Sequence, residues 1–344
     1  MSIQDNNNDD YINIDEQDDS SFCEKCNARI PTRNTFVVII CLLLGLSTIV
    51  LAGIIFAISA NKQHSGQVIH MSDFHLDAYY NSRISIKCRC HWKPEFTCNA
   101  INSTSSSGKF GSFGCDSPSE LIQSALKAAV EVSKGNKDLL PIIVSGDYTR
   151  HATHDYSNPS RLVLEAFVNV SKWMKAYGFK TIIPVYGNDD FAKNYYFNVS
   201  KDCKDQTLLA STSKEIIKLL PNYFHDDTTD SADSTMSCYG YYHYNIENGI
   251  RVFSLNTILY SVKHHPEYTL NEIDDPGKQF QWMEQQLQKC SEDFSCRAVW
   301  ILGHIPPGRE HCMGTASWKD RYVSKYIEIL EKWSPLLIKA QFFG

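Results

Sequence analysis

Leu140-Pro141-Ile142-Ile143-Val144-Ser145-Gly146-Asp147 is a five-residue apolar run that breaks off in a turn carrying an aspartate, with Arg150 and His151 close behind. The run has the length of a strand buried on both faces, and Ser-Gly-Asp is the chemistry that stops one. The same grammar recurs three times. Gln67–Met71 leads into Ser72-Asp73-Phe74-His75, Thr181–Tyr186 into Gly187-Asn188-Asp189-Asp190, and Ala298–Leu302 into Gly303-His304-Ile305-Pro306-Pro307-Gly308. Val252–Leu255 is a further apolar run. Stretches of helical period separate several of them (Leu121–Ser133, Arg161–Tyr177, Phe280–Gln288), and Arg321–Trp333 adds one more. Strands alternating with helices predict an α/β fold. Such sheets collect ligands beyond the carboxyl ends of their strands, so the four turns are expected to converge. Two stretches break the rhythm: residues 81–118, rich in Ser, Cys and Gly, read as a disulfide-tied excursion, and Asp226–Met236 reads as a polar loop.

The turns carry Asp73, His75, Asp147, Asn188 and His304. Oxygen and imidazole donors together suit zinc, iron or manganese, whereas calcium takes oxygens alone. Two such ions sharing a carboxylate form a hydrolytic clamp for phosphate. Glycines beside the ligands let backbones approach closely. Each piece by itself is ordinary turn chemistry; the order and the repeated placement after apolar runs carry the reading.

The chain ends differently from the way it begins. Residues 1–34 hold eight acidic and three basic residues, a net −5 of the −6 total, and read as a disordered acidic cytosolic tail. No charged residue occurs from Asn34 to Asn61, and residues 35–60 are expected to form one transmembrane helix. Lys25, Arg29 and Arg33 precede it, so the positive-inside rule predicts a type II signal anchor with the body lumenal or extracellular. The Cys23/Cys26 pair reads as two idle thiols. A linker (61–67) leads to one domain, 68–344. The sequons at Asn102, Asn169 and Asn198 and nine of the twelve cysteines all follow the span, as an oxidising compartment requires. With 43% hydrophobic residues and no basic excess, the chain is neither wholly disordered nor a nucleic-acid binder, and no nucleic-acid partner is expected.

Asp-x-His, Gly-Asp, Gly-Asn and Gly-His in this order resemble the calcineurin-like metallophosphoesterases across residues 68–344. Four segments are similar to the branch holding acid sphingomyelinase-like phosphodiesterases and endopolyphosphatases: Asp73-Phe74-His75-Leu76-Asp77, Gly114-Cys115-Asp116-Ser117-Pro118, Gly303–Gly308 and Ala340-Gln341-Phe342-Phe343-Gly344. The resemblance implies a metallophosphoesterase-type β-sandwich flanked by helices. It also implies two divalent metal ions, zinc first, with manganese, iron or cobalt as alternatives. Asp73 and His75 would hold one ion, Asn188 and His304 the other, and Asp147 would bridge them. His151 would protonate the leaving group, and Arg150 would grip a neighbouring phosphate unless it forms a surface salt bridge.

Two departures stand out. Asp189 occupies the place of a histidine, as in endopolyphosphatases, and is expected near the phosphate. The family's last motif, Gly-His-x-His, would begin at Gly344, so the chain as given is expected to lack two ligands and the C-terminal part of the fold. The first functional reading is therefore a membrane-anchored endopolyphosphatase acting on polyphosphate. The alternative is an acid sphingomyelinase-like phosphodiesterase acting on sphingomyelin or nucleotides, and the second alternative a catalytically dead fragment or binding protein. The expected location is a vacuole, a lysosome or the cell surface.

Overall fold

The computed structural model describes residues 68–88, 90, 108–133, 141–199, 203, 206–221, 232–309 and 314–344. The tail, apolar span and linker read over 1–67 lie outside these residues, as do Asn102, Cys98 and Cys312. No helix among the described residues is long and apolar enough to cross a membrane.

Ile142–Val144 (β2) is buried on both faces, as the continuous apolar run required. It lies between Ile69–Met71 (β1) and Ile182–Pro184 (β3), parallel to both. Parallel neighbours need crossovers, and helices supply them: Ser119–Val132 (α1) between β1 and β2, Pro159–Ala176 (α2) between β2 and β3. In α2 the Asn158 side chain accepts from the Arg161 N–H at 3.1 Å, and Pro159 opens the first turn. Its stripe Val163, Ala166, Phe167, Val170 and Met174 is buried at helical spacing.

The second sheet runs in the order Tyr242–Ile246 (β4), Ile250–Ser254 (β5), Ala298–Leu302 (β6) and Ile338–Phe342 (β7). β4 and β5 are antiparallel, and β5, β6 and β7 are parallel. Asn248 and Gly249 turn between β4 and β5, both at positive φ (68° and 75°). Thr207–Ile217 (α3) and Ala232–Tyr239 (α4) precede this sheet, Gln279–Glu292 (α5) joins β5 to β6, and Asp320–Trp333 (α6) joins β6 to β7. The two sheets share one hydrophobic core. Tyr242 and Ser254 also donate hydroxyl hydrogen bonds to the Pro184 carbonyl, at 2.7 and 3.0 Å.

The mixed α/β class is thus as expected. One expectation needs correction: the second half of the stretch read as a polar loop is helix α4, whose Cys238 is tied to Cys203. Thr235, Met236 and Cys238 are buried there, and tertiary packing overrides the weak helical propensity of Ser, Thr and Asp. The excursion over 81–118 is closed by Cys90–Cys115, and Cys290–Cys296 closes the turn after α5. Of the sequons, Asn169 lies within α2, away from the surface loops that glycosylation favours, and Asn198 lies in a loop.

Candidate metal centre

Past the ends of β1 and β2 the two chains stay side by side. Asp73 N–H donates to the Gly146 carbonyl (3.0 Å), and His75 N–H to the Asp147 carbonyl (2.9 Å). That pairing sets Asp73 and His75 next to Asp147. All three residues have positive φ (55°, 41° and 56°), an arrangement that strains non-glycine residues and clusters at functional sites.

Two glycines let β2 and β3 end against each other. A Cβ on Gly146 would meet the Gly187 nitrogen at 2.6 Å, and one on Gly187 would sit inside contact distance of Asp147 Oδ1 and its backbone nitrogen. Gly187→Ala is therefore expected to cost at least about 3 kcal/mol, the upper range for overpacking, because backbone has nowhere to yield. A denaturant midpoint equal to that of the unsubstituted chain would show that the two turns are not locked together.

From the second sheet, Gly303 N–H donates to the Phe342 carbonyl and Thr257 Oγ1 accepts from the Ile305 N–H (2.9 and 2.8 Å). His304 is thereby carried over to the first sheet, where its Nδ1–H donates to the Ser145 carbonyl at 2.7 Å. His75 is held alike, Nδ1–H to the Thr149 carbonyl at 3.1 Å. Since a carbonyl only accepts, both Nε2 atoms are left to face Asp147: its Oδ2 is 3.6 Å from His75 Nε2 and 3.3 Å from His304 Nε2. Asp73 Oδ1 is 3.6 Å from His75 Nε2, and Asn188 Oδ1 is 3.1 Å from His304 Nε2. Five residues read from the turns thus meet at one place.

The donors fit divalent ions. Two ligands on one tetrahedral zinc lie about 3.3 Å apart, given bonds of ~2.0–2.1 Å. Asp73, His75 and Asp147 present their ligand atoms within 4.8 Å of one another. The charges agree. Burial alone would lower His75, but its hydrogen bond to Asp73 and the charges of Asp147 and Asp189 lift it to about 9. His304 is likewise raised to about 9 against its burial, chiefly by Asp147. Protons on these histidines balance carboxylates that a bound cation would balance instead.

His151 stacks on His75 with ring centres 4.1 Å apart, and its Nδ1–H donates to Asp116 Oδ1 at 2.6 Å. That hydrogen bond raises His151. Asp116 reaches it because Ser117 N–H donates to the His75 carbonyl at 2.9 Å. Asp189 is buried, 3.8 Å from His151 Nε2, and burial followed by the charge of Asp147 lifts it to about 6.

Arg150 does not line the open face expected of a phosphate grip. It is buried, its Nε 3.5 Å from Asp116 and 3.8 Å from Asp77, with Nη1 donating to Tyr156 OH at 2.7 Å. Two carboxylates, Asp77 and Asp116, already face it. The sequence reading also passed over Asp190, whose carboxylate accepts from the N–H groups of Asp147, Gly187 and Tyr148, each at 2.8 Å, and of Thr149 at 3.3 Å. It fastens the β2 turn to the β3 turn. A second acid following Gly-Asn-Asp was the available signal.

No protein-family profile matches the chain. It is 27% identical over 308 residues to the sphingomyelinase phosphodiesterase D of Dictyostelium discoideum, covering 85% of this chain and 64% of that protein. It is also 27% identical over 285 residues to the cyclic GMP-AMP phosphodiesterase SMPDL3A of Bos taurus, covering 81% of this chain and 57% of that protein. The chain thus spans between about half and two thirds of the length of these relatives. Among solved structures, a dimetal phosphatase from Danio rerio matches with a TM-score of 0.37 and 15% identity over 64% of this chain and 69% of that one, too distant to bear on the site. The resemblance to acid sphingomyelinase-like phosphodiesterases is borne out at the level of sequence.

Proposed function

We propose that this chain carries the catalytic centre of a metal-dependent phosphodiesterase, akin to its acid sphingomyelinase-like relatives. The observation that carries the reading is Asp147, one carboxylate between two imidazoles whose far nitrogens are both tied to backbone carbonyls. Asp73, His75 and Asp147 would hold one ion, and Asp147, Asn188 and His304 a second. Zinc, manganese, iron and cobalt all accept this donor set. Two bound ions supply an activated water and neutralise phosphate oxygens. The protein's own groups do the rest. Asp116 fixes the His151 ring and favours its protonated form, in which Nε2 would offer a proton to the departing oxygen.

Polyphosphate, the first substrate read from the sequence, has less support. Its relatives' names are those of phosphodiesterases, and Arg150 is sealed between Asp77 and Asp116. Incubating the full chain and zinc, manganese or cobalt with bis(p-nitrophenyl) phosphate and with long-chain polyphosphate separates the readings. Diester hydrolysis without polyphosphate cleavage is expected. Cleavage of polyphosphate alone would restore the endopolyphosphatase, and no hydrolysis of either would favour a binding protein. His151→Ala is expected to slow diester turnover by ~10²–10⁴ while leaving metal content unchanged. Undiminished turnover would move the acid elsewhere.

A further inference from the structure

The Asn188 carboxamide is engaged at both its oxygen and its nitrogen. Oδ1 faces His304 Nε2 at 3.1 Å, and Nδ2 donates twice, to Asp189 Oδ2 at 3.0 Å and to Asn194 Oδ1 at 3.1 Å. A carboxamide has two N–H donors, so both are used. A carboxylate accepts and does not donate, which places the nitrogen, and not the oxygen, on the Asp189 side. Turned over, the group would set its oxygen against that carboxylate and its N–H groups against any cation beside His304. Asn188 is buried, where such mismatches find little relief from water.

One arm of this hold is Asp189, the next residue in the chain. The other, Asn194, comes from six residues on, and the backbone there is fastened from both sides. Tyr195 N–H donates to the Asn188 carbonyl at 3.2 Å, so the loop closes on the ligand itself. Tyr195 has a positive φ of 58°, a conformation that persists where surroundings enforce it. They do: His265 N–H donates to the Tyr195 carbonyl (3.1 Å), and Phe197 N–H donates to the His265 carbonyl (3.0 Å). The buried His264 adds a bond from Nε2 to the Phe197 carbonyl at 2.8 Å. These bonds fix the chain around Asn194 without using its side chain, which is turned to Asn188.

We infer that Asn194 is a positioning residue for the metal centre: together with Asp189 it holds the Asn188 carboxamide the way round that offers oxygen to an ion shared with His304. The need is particular to this ligand. A carboxylate such as Asp147 presents an oxygen whichever way it is rotated, whereas a carboxamide presents an oxygen on one side and two N–H groups on the other. Orienting partners of this kind are worth as much to a metal site as some of its ligands.

The inference rests on the metal centre proposed above, and its test keeps the two apart. Zinc is titrated into the metal-free full chain by calorimetry. In Asn194→Leu, which matches the shape and removes the acceptor, one ion should bind ~10–100-fold more weakly and the other as before. Asn194→Asp keeps an oxygen acceptor and should restore the first ion. Asn194→Ala gives the same reading should the leucine unfold the loop. Unchanged zinc binding without the acceptor, or equal loss in the aspartate variant, overturns the inference. So does a weakening of both ions with a lower urea midpoint of the metal-free chain, which marks a merely structural residue. If the unsubstituted chain takes up no zinc, the metal reading fails by itself. The orientation is then read by NMR in the metal-free chain, from the Asn188 side-chain amide protons, identified by their loss in Asn188→Asp. Asn194→Leu should move the proton that faces Asn194 towards the position of a solvated amide and leave its twin in place. Two protons that stay where they are dispose of the hold.

Discussion

Asp147→Asn is expected to eliminate phosphodiester turnover and to release the paired ions together. Asp147 Oδ2 is shared between His75 and His304, so neutralising it weakens both halves of the centre at once. The amide keeps an oxygen for the Asp189 N–H, which Asp147 Oδ1 now accepts at 2.8 Å, so the fold is expected to survive. Turnover should fall by more than the ~10²–10³-fold that loss of a single oxyanion donor costs. There is a second readout. His75 and His304, both raised to about 9, carry protons at pH 7 without metal, and ligation must displace them. Zinc added to the unsubstituted chain should therefore release protons into weakly buffered solution, and the release should largely vanish in Asp147→Asn. A variant that keeps two ions per chain sinks the shared-carboxylate reading.

Asp190→Ala should be the most damaging single change to stability around the site. Its carboxylate is fully buried and accepts from four backbone N–H groups. Burial and the neighbouring Asp147 charge raise it to about 7, against the pull of those amides. Removing it orphans donors that water cannot reach, each worth about 1–3 kcal/mol. A loss of at least ~4 kcal/mol is expected, a large part of the ~5–15 kcal/mol that holds a typical domain folded. Urea unfolding measures it. A midpoint close to that of the unsubstituted chain would mean that the β2 and β3 turns are held by something else.

Which parts of this were legible beforehand follows from how local each signal is. β2 falls within Leu140–Val144 because burial on both faces leaves an uninterrupted hydrophobic signature, and β6 runs over the same residues as the apolar run Ala298–Leu302, its partly buried positions being filled by Ala298 and Trp300. β4 was missed because its burial alternates and its side chains are Tyr, His and Asn, a half-exposed strand that reads as polar. The Asn248-Gly249 turn after it was the clue available. The charge of Arg150 was legible, but its partners were not. Asp77 and Asp116 reach it from 73 and 34 residues away in the chain, a meeting that depends on how the excursion folds back along β1.

Taken by itself, the sequence determined that strands would end in Asp, Asn and His turns, and therefore which donors the protein offers a metal. Turn chemistry is a property of neighbours: Gly-Asp and Gly-Asn stop a strand wherever they occur. Only the tertiary structure decided what those donors face. Asp147 stands between two imidazoles because β6 delivers His304 to Ser145, and Asp190 becomes a clamp because two glycines let the β2 and β3 turns touch. Lys263 and Arg309, 46 residues apart, come to line one cleft because Val262 N–H bonds to the Ser317 carbonyl and Ser317 N–H to that of Gly308. Electrostatic and hydrogen-bond energies depend on distance in space, and separation along the chain does not specify it.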